Sequence, residues 1–130
     1  MKKAKNLEIG KVVQVPTREF APLRRGWNGW LFDVGIVKGF GKSKSGNPLV
    51  KVEYPAKSYG QKWVDFRGNE HIGERTVIEK WFMLDAVFEA DLTFYKNQIE
   101  YPREHYTRGC YCEGTEFLID KGILNPEAIV

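Results

Sequence analysis

The stretch Lys38-Gly39-Phe40-Gly41-Lys42-Ser43-Lys44-Ser45-Gly46 puts three lysines, two serine hydroxyls and three glycines into one short run. Lysines offer point charges to phosphate oxygens, and glycines let the main chain approach a phosphate without a side-chain clash. Phe40, set between the lysines, is of a type that stacks on an unpaired base or wedges into a minor groove. Arg24-Arg25, with Trp27 two residues on, repeats the combination, and Lys57 and Lys62 extend the cationic series. The chemistry of this set is electrostatic capture of a polyanion, with stacking. Lysine-rich turns also keep sheet edges soluble, and on sequence alone both readings stand.

Other residue sets point elsewhere and carry less. A phosphate-binding loop of the G-x-x-x-x-G-K-[ST] type needs a glycine five residues before Gly41, where the chain has Ile36, and a strand-to-helix context. Nucleotide hydrolysis is excluded on that ground. Cys110 and Cys112 flank Tyr111 with C-x-C spacing, and only His105, Glu113 and the distant His71 are at hand to complete a zinc set. No metal and no cofactor is therefore expected. Trp27, Trp30, Phe32, Tyr54, Tyr59, Trp63 and Phe66 can line a cage for a cationic side chain or fill a small core. Asp65, Glu70, His71 and Glu74 lie close in sequence, but there is no Ser–His–Asp signature. No catalysis is expected.

The charge of the whole chain supports the first reading. Residues 1–62 hold thirteen Lys/Arg against four Asp/Glu, and residues 63–130 hold seven against thirteen. The net +3 thus hides a basic half and an acidic half. Salt screens charges beyond about 10 Å, so a basic segment attracts polyanions whatever the far end carries. The length of 130 residues fits one domain, and 42% hydrophobic with 28% charged residues is globular composition. The longest apolar run, Trp81-Phe82-Met83-Leu84, is far too short to span a bilayer, and no apolar stretch follows the basic start as a secretory signal requires. With two cysteines and no disulfide framework, the expectation is a cytoplasmic, reducing setting without membrane contact.

These residues need elements to position them. Residues 1–8 read as a mobile basic arm. Ile9 to Val15 reads as a strand closed by Pro16, and 17–29 as a long loop. Phe32, Val34 and Ile36 alternate with Asp33 and Gly35, as do Val50, Val52 and Tyr54 with Lys51 and Glu53, which is strand periodicity. Residues 39–48 read as the turn between them. Lys62–Phe66 reads as a short strand, 75–83 as another, and Val87-Phe88-Glu89 as a last one. Helical spacing also fits Val77, Trp81, Leu84 and Phe88, but β-branched and aromatic residues favour strand. In the tail, Tyr95 to His105 reads as irregular, and a short helix capped by Thr115 ends at Lys121-Gly122.

The Gly10–Val15, Val34–Gly39, Gly46–Tyr54 and Trp81–Phe88 segments together resemble the SH3-like barrel of KOW and Tudor-type domains over roughly residues 9–90. The resemblance implies a binding module for nucleic acid or for a protein segment. The fold expectation is accordingly mainly β: a small SH3-like barrel over 1–91, with an insertion at 55–74, and a C-terminal extension over 92–130 that contains a short helix and packs on the barrel or on a partner. The leading functional expectation is a non-enzymatic protein that binds DNA or RNA through phosphate contacts with low sequence specificity. Its binding residues are Arg24, Arg25, Trp27, Lys38, Phe40, Lys42, Lys44, Lys57 and Lys62. The alternative is a protein-interaction module that docks on a larger complex through residues 55–74 and 92–130 and modulates it.

Overall fold

The computed structural model describes residues 2–20, 29–100 and 111–126, with backbone only at 18–20, 29 and 30. The fold is mainly β, with a five-stranded antiparallel sheet and two helices. In chain order the elements are β1 (Val12–Phe20), β2 (Gly29–Lys42), β3 (Pro48–Pro55), β4 (Lys62–Val64), β5 (Glu70–Ile72), β6 (Val77–Met83), a single 3-10 turn (Leu84–Ala86), β7 (Phe88–Glu89), α1 (Thr93–Glu100) and α2 (Glu113–Asp120). Two compact units result, Met1–Tyr54 with Ile78–Ala90, and Pro55–Val77 with Asp91–Val130. Among the described residues no helix is long and apolar enough to cross a membrane.

In the first unit the strands run β6-β3-β2-β1-β7, so that β6 and β7 are the two edges. Val13, Val15, Val37, Val50, Val52, Tyr54 and Val87 form its core, with Ala4, Leu7 and Phe82 packed against it. The period-two spacing of Val50, Val52 and Tyr54 sends all three to one face, as expected. β-branched side chains suit such a pleated surface. Gly35 permits the close approach of β2 to β3: a Cβ there would lie 2.5 Å from Val52 Cγ1 and 2.8 Å from the Glu53 carbonyl oxygen.

Several expected boundaries move. Pro16 does not close β1. The ladder to β2 shifts register between Pro16 and Arg18, and an irregularity tolerates a residue without an N–H. Residues 39–42 continue β2 instead of turning, and the reversal is confined to 43–47. The arm at 1–8 is not free. The Ala4 amide donates to the Val87 carbonyl at 3.1 Å, and the Glu89 amide to the Lys2 carbonyl at 2.8 Å, which adds backbone to the short edge strand β7.

In the second unit, β4 and β5 form a two-stranded hairpin that pairs Lys62 with Ile72, Trp63 with His71 and Val64 with Glu70. β5 and α1 both fall where the sequence reads as irregular. Gln61 ties the hairpin base to the tail, its Nε2 donating to the Tyr111 carbonyl at 2.6 Å. Gly73 is required beside it, because a Cβ there would meet the Ser58 carbonyl oxygen at 1.8 Å. α2 begins after Cys112, not Thr115. Thr115 lies a turn inside and fully buried, with its Oγ1 3.2 Å from Cys112 Sγ. The helix ends at Lys121, and Gly122 follows with φ +77°, the left-handed conformation that glycine adopts without penalty.

Candidate nucleic-acid interface

The β2–β3 hairpin carries the lysines of the candidate site. Its register shifts between Val37 and Gly39, so that Lys38 is the extra residue of a bulge. Beyond it Phe40 pairs with Val50 and Lys42 with Pro48. Directly opposed residues share a face, so the bulge turns Phe40 and Lys42 to the side of Val50 and leaves Gly39 and Gly41 on the other. The core ends at Val50, and Phe40 projects past it, half-exposed. Lys38, Lys42 and Lys44 are exposed, and among the described residues none of the three is in an ion pair.

The turn that joins the strands is braced internally. The Ser43 amide donates to the Asn47 carbonyl at 2.8 Å, the Gly46 amide to the Ser43 carbonyl at 2.9 Å, and the Asn47 amide to Ser43 Oγ at 3.1 Å. Ser43 Oγ and Ser45 Oγ lie 3.1 Å apart. The amides that the sequence offers for a phosphate cradle are in this way already engaged at three positions. What the tip presents is lysine charge on a fixed turn.

One residue that sequence reasoning placed only in the closing strand lies against the reverse face of this hairpin, the side of Gly39 and Gly41. Trp81 of β6 is half-exposed, and its indole lies over Gly41, where a Cβ would come within 3.2 Å of the ring. Lys51 Nζ stands 5.7 Å from the same ring and 3.4 Å from Glu79 Oε2. Gly41 therefore leaves room on the sheet for an aromatic ring. The Gly39-x-Gly41 spacing inside a strand-compatible run was the available signal.

The other expected binding residues are Arg24, Arg25, Trp27, Lys57 and Lys62. Arg24, Arg25 and Trp27 lie outside the described residues. Lys57 and Lys62 are exposed but belong to the second unit. The aromatics that could line a cage or fill a core are separately engaged where described. Tyr54 is core, Phe32 packs edge-on to Phe88, Tyr59 edge-on to Phe117, and Trp63 stacks on His71 at 4.2 Å.

Of Asp65, Glu70, His71 and Glu74, the residues weighed for acid–base chemistry, Asp65 and His71 are bound up in the β4–β5 turn. Asp65 Oδ2 is 2.8 Å from His71 Nε2, while Oδ1 accepts the Arg67 and Asn69 amides at 2.9 Å each. The His71 bond first, then these amides, hold the Asp65 carboxyl below its ordinary value. Asp65 thus organises the β4–β5 turn. Glu70 and Glu74 are exposed, and no contact of either with this pair is seen among the described residues. Deeper in the unit, the Arg75 guanidinium bridges Glu116 Oε2 at 3.1 Å and Asp120 Oδ2 at 2.5 Å, and Tyr59 donates its hydroxyl to the same Asp120 oxygen at 2.6 Å. Of the two cysteines, Cys110 lies outside the described residues, and Cys112 is a free thiol.

Tyr59 supplies a pH prediction. Burial first, then the hydrogen bond and charge of Asp120, push its phenol up to about 12, with Arg75 opposing. Between pH 10 and 12 the unfolded phenol loses its proton while the folded one keeps it, so stability falls as pH rises. The phenol's contribution is complete below pH 10, and on the order of 2 kcal/mol of it is lost on passing through pH 12. Denaturant titrations across this range, wild type against Tyr59→Phe, isolate it from the other groups that titrate there. Parallel profiles for the two proteins would refute the assignment.

Comparison with protein-family models, with curated proteins and with solved structures finds no match to this chain.

Proposed function

We propose that this protein is a non-enzymatic nucleic-acid-binding module that holds DNA or RNA chiefly through phosphate contacts. The observation that carries the reading is the exposed β2–β3 hairpin, where Lys38, Lys42 and Lys44 flank the half-exposed Phe40 with no carboxylate pairing them among the described residues. Lysines attract phosphate without regard to base identity. No helix carries this site, so low sequence specificity follows. Phe40 and Trp81, on opposite faces of the hairpin, add two accessible rings suited to unpaired bases. The SH3-like barrel belongs to the same reading. Its support is the strand order β6-β3-β2-β1-β7, with a 3-10 turn before the last strand.

The test is a salt titration of binding to a generic duplex and a single strand. Each neutralised duplex phosphate contributes about 0.9 log units of affinity per log unit of salt, so three lysines give a slope near −2.7 and a loss of about 40-fold between 50 and 200 mM. Absence of binding to either strand form at low salt would overturn the reading. A second reading, a protein-docking module, draws on the β4–β5 hairpin, where Val64, Phe66 and Ile72 are exposed.

A further inference from the structure

We infer that the outer face of the β4–β5 hairpin is a self-association surface whose occupant is a second copy of this chain. The inference does not rest on nucleic-acid binding: it uses a different unit from the β2–β3 hairpin and shares only Lys62 with the expected phosphate contacts.

The argument starts from register. Lys62 lies opposite Ile72, and Val64 opposite Glu70. Strand side chains alternate, so these four share one face, while Trp63 and His71 share the other. Val64 is 63% and Ile72 66% exposed, and Lys62 and Glu70 are exposed as well. The four corners of the face thus hold two apolar groups on one diagonal and two opposite charges on the other diagonal.

A dimer with two-fold symmetry needs a patch complementary to itself. Place the two-fold axis along the Val64–Ile72 diagonal and lay a second copy face to face. Val64 then meets Val64 of the other copy, and Ile72 meets Ile72. Reflection across that diagonal brings Lys62 over Glu70 of the other copy and Glu70 over its Lys62. Both charges are matched and both apolar groups are covered in one arrangement. An unrelated partner would have no need of this diagonal pattern.

The face is also prepared for contact. Asp65 fixes the turn through two amides and His71, and Trp63 stacks on His71 behind it. Such rigidity lowers the ordering cost of association. Two strands of three residues cover less than the roughly 800 Å² per partner of a standard interface, so the dimer is weak.

The experiment is sedimentation of nuclease-treated protein at concentrations up to about 1 mM, a range that captures weak association. Wild type is expected to dimerise. Lys62→Glu and Glu70→Lys each place two like-charge pairs in the interface and should weaken the dimer about 10- to 100-fold. The double exchange Lys62→Glu/Glu70→Lys restores it, and an equimolar mixture of the two single variants forms a mixed dimer. Val64→Asp, on the axis, sets a carboxylate against itself and abolishes association even if a charge variant folds poorly. A monomeric wild type at the highest concentration, single variants that associate normally, or a double exchange that fails to recover would each overturn the inference. Association that vanishes on nuclease treatment would do so too, by assigning the assembly to nucleic acid.

Discussion

Replacing Arg75 with alanine is expected to destabilise the second unit by about 3 kcal/mol, toward the low end for breaking a buried ion pair. Glu116 is wholly buried, and the guanidinium reaches it at 3.1 Å while holding Asp120 at 2.5 Å. The planar fork serves both carboxylates at once, and its carbon lies 5.6 Å from the Tyr59 ring centre. Loss of the fork removes this cation from Glu116 in the interior. It removes the same charge from Asp120, which keeps the Tyr59 hydroxyl. Arg75 itself is about a third exposed, so water replaces part of what is lost, which is why the low end applies. Arg75→Lys keeps the charge but not the fork, and should lie between the wild type and alanine variants. Denaturant unfolding, with hydrogen exchange at the Phe117 and Leu118 amides to localise the effect, reads the difference. A change below about 0.5 kcal/mol, the range of ordinary surface substitutions, would mean that the network does not hold this unit together.

That network joins sequence positions over forty residues apart, which is why no local pattern announces it. Much of the first unit was legible because its signals are local. Val50, Val52 and Tyr54 alternate, and the alternation is the fold. In 77–83 the β-branched and aromatic composition correctly favours strand over the competing helical spacing. The end of α2 at Lys121-Gly122 follows from glycine's tolerance of positive φ.

The failures have equally specific causes. Strict period two places Lys38, Phe40 and Lys42 opposite Val37; the bulge at Lys38 reverses that assignment beyond it, and a bulge leaves no mark in hydrophobic spacing. The glycines at 39 and 41 read as turn formers, yet Gly41 lies in a strand under the Trp81 ring. Glu70-His71-Ile72 lacks apolar alternation, and it pairs as a strand next to the turn that Asp65 organises through side-chain bonds. α1 buries Gln98 beside Ile99 and shows no apolar stripe. Its Gln98 Oε1 accepts the Cys112 amide at 3.2 Å, a long-range contact invisible to local reading. The lysines of the candidate site were legible as exposed charge, but the Trp81 ring on the reverse face of the hairpin was not.

Reversing two of those lysines is the decisive functional test. Lys42→Glu/Lys44→Glu removes two cations from the hairpin tip and adds two anions, and it should lower affinity for duplex and single strand alike by at least about 100-fold at low salt, or about 2.7 kcal/mol. The salt slope should collapse with it, because the slope counts the phosphates neutralised. Both lysines are exposed, so the fold should survive the change. The aromatic residues should behave differently. Trp81→Ala and Phe40→Ala each remove a ring on which an unpaired base can stack, at about 1–3 kcal/mol per base on a single strand. Duplex binding and the salt slope should remain near wild type, since paired bases do not reach those rings. A charge reversal that leaves affinity intact would move the polyanion site away from this hairpin. Aromatic variants that weaken duplex and single strand equally would show that Phe40 and Trp81 shape the hairpin and do not touch bases.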